Sequence, residues 1–122
     1  MESIARKKIL LAEDDAAMRR FVEVVLRQAG YEVAAAEDGL AAMQLALADD
    51  FDAVVADAIM PNMSGYDLCR TIRAHAGERR VPCIILSGLA ENNNTEAGIA
   101  EAFLTKDTNL KEQILDQLRQ LL

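Results

Sequence analysis

Short runs of apolar residues alternate along this chain with longer amphipathic stretches. Five apolar runs predict strands over residues 9–12, 31–36, 51–56, 81–86 and 102–105. Apolar residues spaced three and four apart predict helices at 18–29, 40–47 and 68–75, and a last helix at 110–121. A further short helix is expected between the fourth and fifth strands, within residues 88–101. The pattern therefore predicts strands and helices in alternation.

Alternating strands and helices favour one fold class. Successive strands that are joined through a helix lie parallel, and the helices then cover both faces of the sheet. Apolar runs without polar alternation are typical of strands that are buried on both sides. Right-handed crossovers leave few topologies for five strands. The predicted fold is α/β, a three-layer α/β/α sandwich of the flavodoxin-like kind with a five-stranded parallel sheet. The strand order 2-1-3-4-5 belongs to that fold and is not visible in the sequence itself.

Composition narrows the possible partners. The chain has 122 residues, of which 13 are Lys or Arg and 20 are Asp or Glu, so its net charge is −7. This acidity argues against nucleic acid as a direct partner and against an anionic membrane surface. We see no apolar stretch long enough to span a bilayer and no signal peptide. Cys69 and Cys83 lack the spacing of a disulfide framework and fall on faces predicted to be buried. We therefore expect one cytoplasmic domain, residues 1–122, without an output domain.

Polar residues with reactive or ligand-binding side chains follow the predicted strands. Asp14 and Asp15 come after the first strand, Asp57 after the third, Ser87 after the fourth and Lys106 after the fifth. The carboxyl ends of parallel strands lie at one edge of the sheet, and ligands bind there at the point where the strand order reverses. We therefore expect these three carboxylates, the hydroxyl and the ammonium group to converge on one crevice.

Such a crevice is suited to binding a divalent cation and to phosphoryl transfer. Clustered carboxylates repel one another unless a cation or a proton lies between them, and all-oxygen ligands suit Mg²⁺. A carboxylate can also attack phosphorus as a nucleophile and form an acyl phosphate. An ammonium group and a hydroxyl, here Lys106 and Ser87, would then stabilise the phosphoryl oxygens.

The whole chain resembles the receiver domain of the two-component response regulators. The matching residues are the acidic pair Asp14-Asp15, Asp57 with Met60-Pro61 and Gly65 after it, Ser87 at the Thr/Ser position, and Lys106. Each motif is weak alone, but their order and their placement at strand ends are together highly specific.

The resemblance implies that Asp57 accepts a phosphoryl group from the phosphohistidine of a sensor histidine kinase or a histidine phosphotransfer protein. It also implies a Mg²⁺ cofactor that is ligated directly by Asp15, Asp57 and the backbone carbonyl of Ile59, with Asp14 acting through water. The single histidine, His75, is interpreted as a surface residue at a helix end, so the phosphohistidine would belong to another protein.

The resemblance also assigns the remaining site residues. Ser87 and Lys106 would bind phosphoryl oxygens, and Ser87 with Phe103 would form the conformational switch. The domain would then act by changing its contacts with a downstream protein target. It would catalyse only its own phosphorylation and slow dephosphorylation, so we expect no enzyme activity towards another substrate.

The sequence departs from the family pattern near its end. Lys106 is followed by Asp107, whereas the family usually has a proline after a cis peptide bond, so the expected bond here is trans. The segment between Ser87 and Lys106 is shorter than usual, and we expect residues 88–101 to be the mobile, partner-facing part of the domain.

Other functions fit parts of the same pattern. A pseudo-receiver would use this scaffold to bind proteins without phosphorylation, as the Asp107 replacement allows. A dehalogenase-like phosphatase would have an Asp-x-Asp arrangement at its first strand, where this chain has the contiguous Asp14-Asp15. A flavodoxin would need a phosphate loop after the first strand, and Glu13-Asp14-Asp15 has the wrong charge for it.

Overall fold

The computed structural model describes residues 6–77, 79–88 and 100–122 of the chain. Within these ranges the strands are β1 (Lys8–Ala12), β2 (Glu32–Ala36), β3 (Ala53–Asp57), β4 (Cys83–Ser87) and β5 (Ala102–Thr105). The helices are α1 (Ala16–Gln28), α2 (Gly39–Ala48), α3 (Gly65–Ala76) and α4 (Leu110–Leu121). All neighbouring strands pair in parallel, in the order β2-β1-β3-β4-β5. The predicted fold class and strand order are confirmed.

Helices cover both faces of the sheet because the strands are apolar on both sides. Leu10, Val54 and Ile85 lie in the core beneath α2 and α3, together with Leu68 and Ile72 of α3. Their strand neighbours lie in a second core, which α1 and α4 close; these neighbours include Ile9, Leu11, Val55 and Ile84. Every residue of β3 is buried, so the central strand is enclosed from both sides.

Element boundaries differ from the predicted ones at turns. β4 begins at Cys83 rather than at residue 81, because Pro82 has no N–H with which to extend the ladder. α3 begins at Gly65, three residues before the first apolar position, Leu68. Its start is set by Ser64, whose hydroxyl accepts a hydrogen bond from the Asp67 amide at 3.1 Å as an N-cap.

Two expectations concern the chain around β5. The helix and the mobile segment predicted within residues 88–101 lie almost entirely outside the described residues, which resume at Ala100. The predicted trans bond between Lys106 and Asp107 is confirmed, since the described part of the chain contains no cis peptide bond. No helix among the described residues is long and apolar enough to cross a bilayer.

Gly65 allows α3 to begin directly against the end of β3. A Cβ atom at position 65 would lie 2.2 Å from the carbonyl oxygen of Asp57, which is backbone and cannot move aside cheaply. We expect Gly65→Ala to lower the free energy of unfolding by about 1–3 kcal/mol, the usual cost of overpacking. Urea denaturation measures the loss. The matched control is Gly88→Ala, where an added Cβ meets nothing within 4 Å. Equal stability of the two variants would contradict the prediction.

Candidate functional site

One edge of the sheet brings together three carboxylates and one ammonium group. Single carboxylate oxygens of Glu13, Asp14 and Asp57 lie within 4.8 Å of one another. The Lys106 Nζ atom lies 2.9 Å from Oε1 of Glu13 and 3.1 Å from Oδ2 of Asp57. The predicted convergence at the carboxyl ends of the strands is therefore present, although its membership differs from the expected one.

The strand ends position these side chains. Glu13 directly follows β1, and its amide donates to the carbonyl of Ala36 at 3.1 Å, so the backbone continues along the sheet. Asp57 is the last residue of β3, the central strand. Lys106 directly follows β5, and its amide donates to the carbonyl of Ser87 at 2.8 Å. Each functional residue is thus held by a backbone hydrogen bond or a ladder pairing to a neighbouring strand.

Glu13 is the site residue that the sequence analysis missed. Its side chain is fully buried, and its Oε2 accepts a hydrogen bond from the Asp15 amide at 3.1 Å. Burial raises the pKa of Glu13 to about 7, and the negative charge of Asp57 adds to this rise. The Lys106 ammonium and the Asp15 amide act in the opposite direction. Its position immediately after the apolar run of β1 was the sequence signal that could have identified it.

Asp15 lies outside the cluster of Glu13, Asp14 and Asp57, and its role as a direct metal ligand stays a prediction. Its carboxylate accepts a hydrogen bond from the Met18 amide at 2.8 Å and caps the N-terminus of α1. Aspartate is among the preferred residues at this position because its oxygen satisfies an unpaired amide of the first turn. Glu13 occupies the place in the carboxylate cluster that the sequence analysis gave to Asp15.

Asp57 and Lys106 form the partly enclosed centre of the site. Asp57 is 7% exposed, whereas Asp14 lies at the surface. Burial lowers the pKa of Lys106, but the carboxylates of Glu13 and Asp57 outweigh it, and the pKa is raised overall. The lysine therefore stays positively charged at neutral pH and faces two carboxylates at once.

The other predicted site residues lie around this centre. Ile59 is 76% exposed in the loop after β3, and its role through the backbone carbonyl stays a prediction. Ser87 ends β4 opposite Thr105 of β5. Phe103 is exposed on β5, and its ring centroid lies 6.3 Å from that of Tyr66, with the planes tilted by 32°. The two predicted switch residues therefore lie on β4 and β5, the two strands at one side of the sheet.

The residues of the cluster fit a hard divalent cation such as Mg²⁺. Carboxylate oxygens are its preferred protein ligands, and the cluster offers one from each of Glu13, Asp14 and Asp57. The buried Oε1 of Glu13 receives no hydrogen bond of good geometry within the described residues, although the Lys106 ammonium lies close to it. A buried oxygen with unused accepting capacity is available to a metal ion.

Comparison with known proteins agrees with this geometry. Residues 9–119 match the model of the response regulator receiver domain family. The chain is 30% identical over 118 residues to the response regulator ArlR of Staphylococcus saprophyticus, which covers 94% of this chain and 52% of ArlR. It is 35% identical over 116 residues to the probable transcriptional regulator ycf27 of Galdieria sulphuraria, covering 92% of this chain and 44% of that protein.

A solved structure shows the same likeness. The receiver domain of the sensor histidine kinase PA1611 of Pseudomonas aeruginosa is 32% identical and superposes with a TM-score of 0.83. The alignment covers 96% of this chain and 98% of that domain, whose structure has a magnesium ion coordinated in its active site cleft.

The relatives change one expectation about partners. This chain spans about half the length of ArlR and of ycf27, and ycf27 is named as a transcriptional regulator. The exclusion of nucleic acid is therefore not supported, because the net charge of −7 describes the surface of this chain alone. Family match, fold and carboxylate cluster lead to one conclusion: this chain belongs to the response regulator receiver domain family of two-component systems.

Proposed function

We propose that this domain accepts a phosphoryl group on Asp57 from the phosphohistidine of a partner histidine kinase or histidine phosphotransfer protein. The observation that carries the proposal is the position of Asp57. Its nearly buried carboxylate ends the central strand, 3.1 Å from the Lys106 ammonium and beside Glu13 and Asp14. A carboxylate held in one position can attack as a nucleophile. The neighbouring ammonium group of Lys106 can neutralise the negative charge of the transferred group.

The transfer follows from the positions of these groups. A carboxylate oxygen of Asp57 attacks phosphorus, and the bond between phosphorus and the donor imidazole nitrogen breaks. Lys106 holds the carboxylate in place and lies close enough to contact an oxygen of the incoming group. We assign the Ser87 hydroxyl to a second phosphoryl oxygen. Bound Mg²⁺, held by the carboxylates of Glu13, Asp14 and Asp57, would supply positive charge to the phosphoryl oxygens.

The consequence of phosphorylation is a change in protein contacts. The domain alters its own covalent state and turns over no separate substrate, so we propose that it is a signalling module and not an enzyme. Its target would be a downstream protein that distinguishes the two states. Ser87 and Phe103 lie on the adjacent strands β4 and β5, and the side chain of Phe103 is exposed. A conformational change that begins at Asp57 can therefore alter the surface of the domain through these two strands.

Intact-mass measurement tests the proposal. The protein is incubated with acetyl phosphate, with and without Mg²⁺, and is then weighed. We expect a gain of one phosphoryl group that requires Mg²⁺. No gain under either condition, together with a properly folded protein, would favour the pseudo-receiver, a protein-binding module that acts without phosphorylation.

The carboxylate cluster predicts which acidic residues bind Mg²⁺. Millimolar Mg²⁺ should raise the melting temperature, because a ligand that binds only the folded state stabilises it. Asp14→Asn should lose most of this rise, since it removes a charged oxygen from the cluster. Asp15→Asn is the matched control, because asparagine also caps helices well. Differential scanning fluorimetry with a magnesium titration measures both. A larger loss in Asp15→Asn than in Asp14→Asn would restore the metal set expected from sequence.

A further inference from the structure

A small cavity opens between the C-terminal ends of α2 and α3. Its volume is about 170 Å³. Its lining includes Phe51, shortly before β3, and Val81, shortly before β4, so it lies at the amino ends of these strands. The carboxylate cluster lies at the carboxyl ends of the strands. The cavity is therefore separate from the phosphoacceptor site.

Small side chains on the two helices leave this space open. α2 contributes Ala46 and α3 contributes Ala76, both from the last helical turn and both partly buried against the core. A longer side chain at either position would extend into the cavity. The floor consists of buried apolar side chains of the sheet and of α3, namely Leu10, Val54 and Ile72. A polar group that entered this interior without a hydrogen-bonding partner would be unfavourable.

The walls of the cavity favour an aromatic ligand. Phe51 and Met43 both line it. Aromatic rings attract one another in offset or edge-to-face arrangements, and the sulfur of methionine contacts ring edges favourably. The volume is also close to that of an engineered cavity of about 150 Å³ that binds benzene in another protein. A single aromatic ring therefore suits the cavity in size and in chemistry.

The charged groups at the mouth of the cavity are already paired with other groups of the protein. Arg79 donates to the carbonyl of Phe51 at 2.8 Å, and its Nη1 atom lies 3.9 Å from Oδ1 of Asp50. Asp49 forms an ion pair with Lys8. A charged ligand would have to compete with one of these pairs and would lose its hydration at the apolar interior. The mouth therefore favours a ligand without charge.

We propose that this cavity binds a neutral molecule with one aromatic ring and one small polar substituent, the chemistry of a phenol. The ring enters between Ala46 and Ala76 and contacts Phe51. The hydroxyl group stays at the mouth, where the exposed side chain of His75 offers a ring nitrogen for a hydrogen bond. The inference stands on the cavity and does not depend on phosphorylation of Asp57.

Titration of the isotope-labelled full chain with phenol, followed by heteronuclear NMR, tests the proposal. We expect saturable shifts of the amide signals of Ala46, Phe51 and Ala76 with one dissociation constant. Cyclohexanol has the hydroxyl group but no aromatic ring, and it should bind about two- to tenfold more weakly. Benzoate has the ring but carries a charge, and it should bind about tenfold more weakly or worse. The absence of saturable shifts at these residues, or equal binding of either comparison compound, would overturn the proposal.

Variants that fill the cavity provide the matched test. Ala46→Leu places a larger side chain in the space, so the affinity for phenol should fall about tenfold or more. Ala48→Leu is the control, because Ala48 is exposed at the end of the same helix and lies outside the lining. Its affinity for phenol should be unchanged.

A second filling variant protects the test against misfolding. Ala76→Leu fills the same space from α3 and replaces Ala46→Leu if circular dichroism shows that the latter is unfolded. If neither variant folds, the mapped shifts of the unaltered protein decide the matter. A folded filling variant that binds phenol as tightly as the Ala48→Leu control would show that the ligand does not occupy the cavity.

Discussion

Replacing Asp57 with asparagine is expected to abolish the gain of a phosphoryl group when the protein is incubated with acetyl phosphate and Mg²⁺. The amide is nearly the same size as the carboxylate, so the packing around this 7% exposed side chain should be kept. An amide is, however, a poor nucleophile towards phosphorus, and it lacks the charge that attracts the metal. The phosphorylated fraction in the intact-mass spectrum should therefore fall to background.

A matched control shows that the loss is specific to the cluster. Asp116→Asn removes a carboxylate from the exposed surface of α4, where it forms an ion pair with Arg119 of the same helix. Phosphorylation of this variant should equal that of the unaltered protein. If Asp57→Asn were still labelled, and peptide mapping placed the phosphoryl group elsewhere, Asp57 would not be the acceptor.

The metal-free protein is expected to lose stability as the pH rises from about 5 to about 7. Glu13 has a pKa of about 7 in the folded protein and an ordinary value of 4.5 when the chain is unfolded. Between these values the folded state holds a proton that the unfolded state has released, so the free energy of unfolding falls with pH by up to about 1.4 kcal/mol per unit. The total contribution is on the order of 3 kcal/mol, and it levels off above the folded pKa.

Urea denaturation at several pH values in buffer containing EDTA measures this dependence. Glu13→Gln removes the titrating carboxyl, so its stability curve should be flatter than that of the unaltered protein between pH 5 and 7. Other groups titrate in both proteins, and the difference between the two curves isolates Glu13. Parallel curves would show that Glu13 does not hold its proton more tightly in the folded state.

The fold class could be predicted from the sequence because the strands are uniformly apolar. Buried runs such as Ala53–Asp57 carry no polar residue before the functional one, so both the strand and its chemically active end were visible. The strand order came with the fold family and could not be read from periodicity. The observed starts of β4 and α3 differ from the predicted ones because Pro82 lacks an amide donor and Ser64 caps the helix. The spacing of apolar residues carries no information about either effect.

The acidic residues after β1 show where sequence reasoning fails. Three consecutive acids, Glu13, Asp14 and Asp15, are equally polar in the sequence, yet one is fully buried, one is in the exposed part of the cluster and one caps a helix. A buried glutamate contradicts the general rule that charged residues lie at the surface, so patterning could not single out Glu13. Helix capping explains the position of Asp15, because aspartate is a preferred N-cap residue and its carboxylate accepts from the Met18 amide.

The contact between Tyr66 and Phe103 gives this domain an optical signal of its own. The chain contains two tyrosines and no tryptophan, so its tyrosine emission comes from Tyr31 and Tyr66 alone. Tyr31 packs against the core that α1 and α4 close, whereas the ring of Tyr66 lies 6.3 Å from that of Phe103 on β5. Any displacement of Phe103 changes the surroundings of one fluorophore and leaves the other as an internal reference. The conformation of β5 can therefore be followed by tyrosine spectroscopy without attaching a dye.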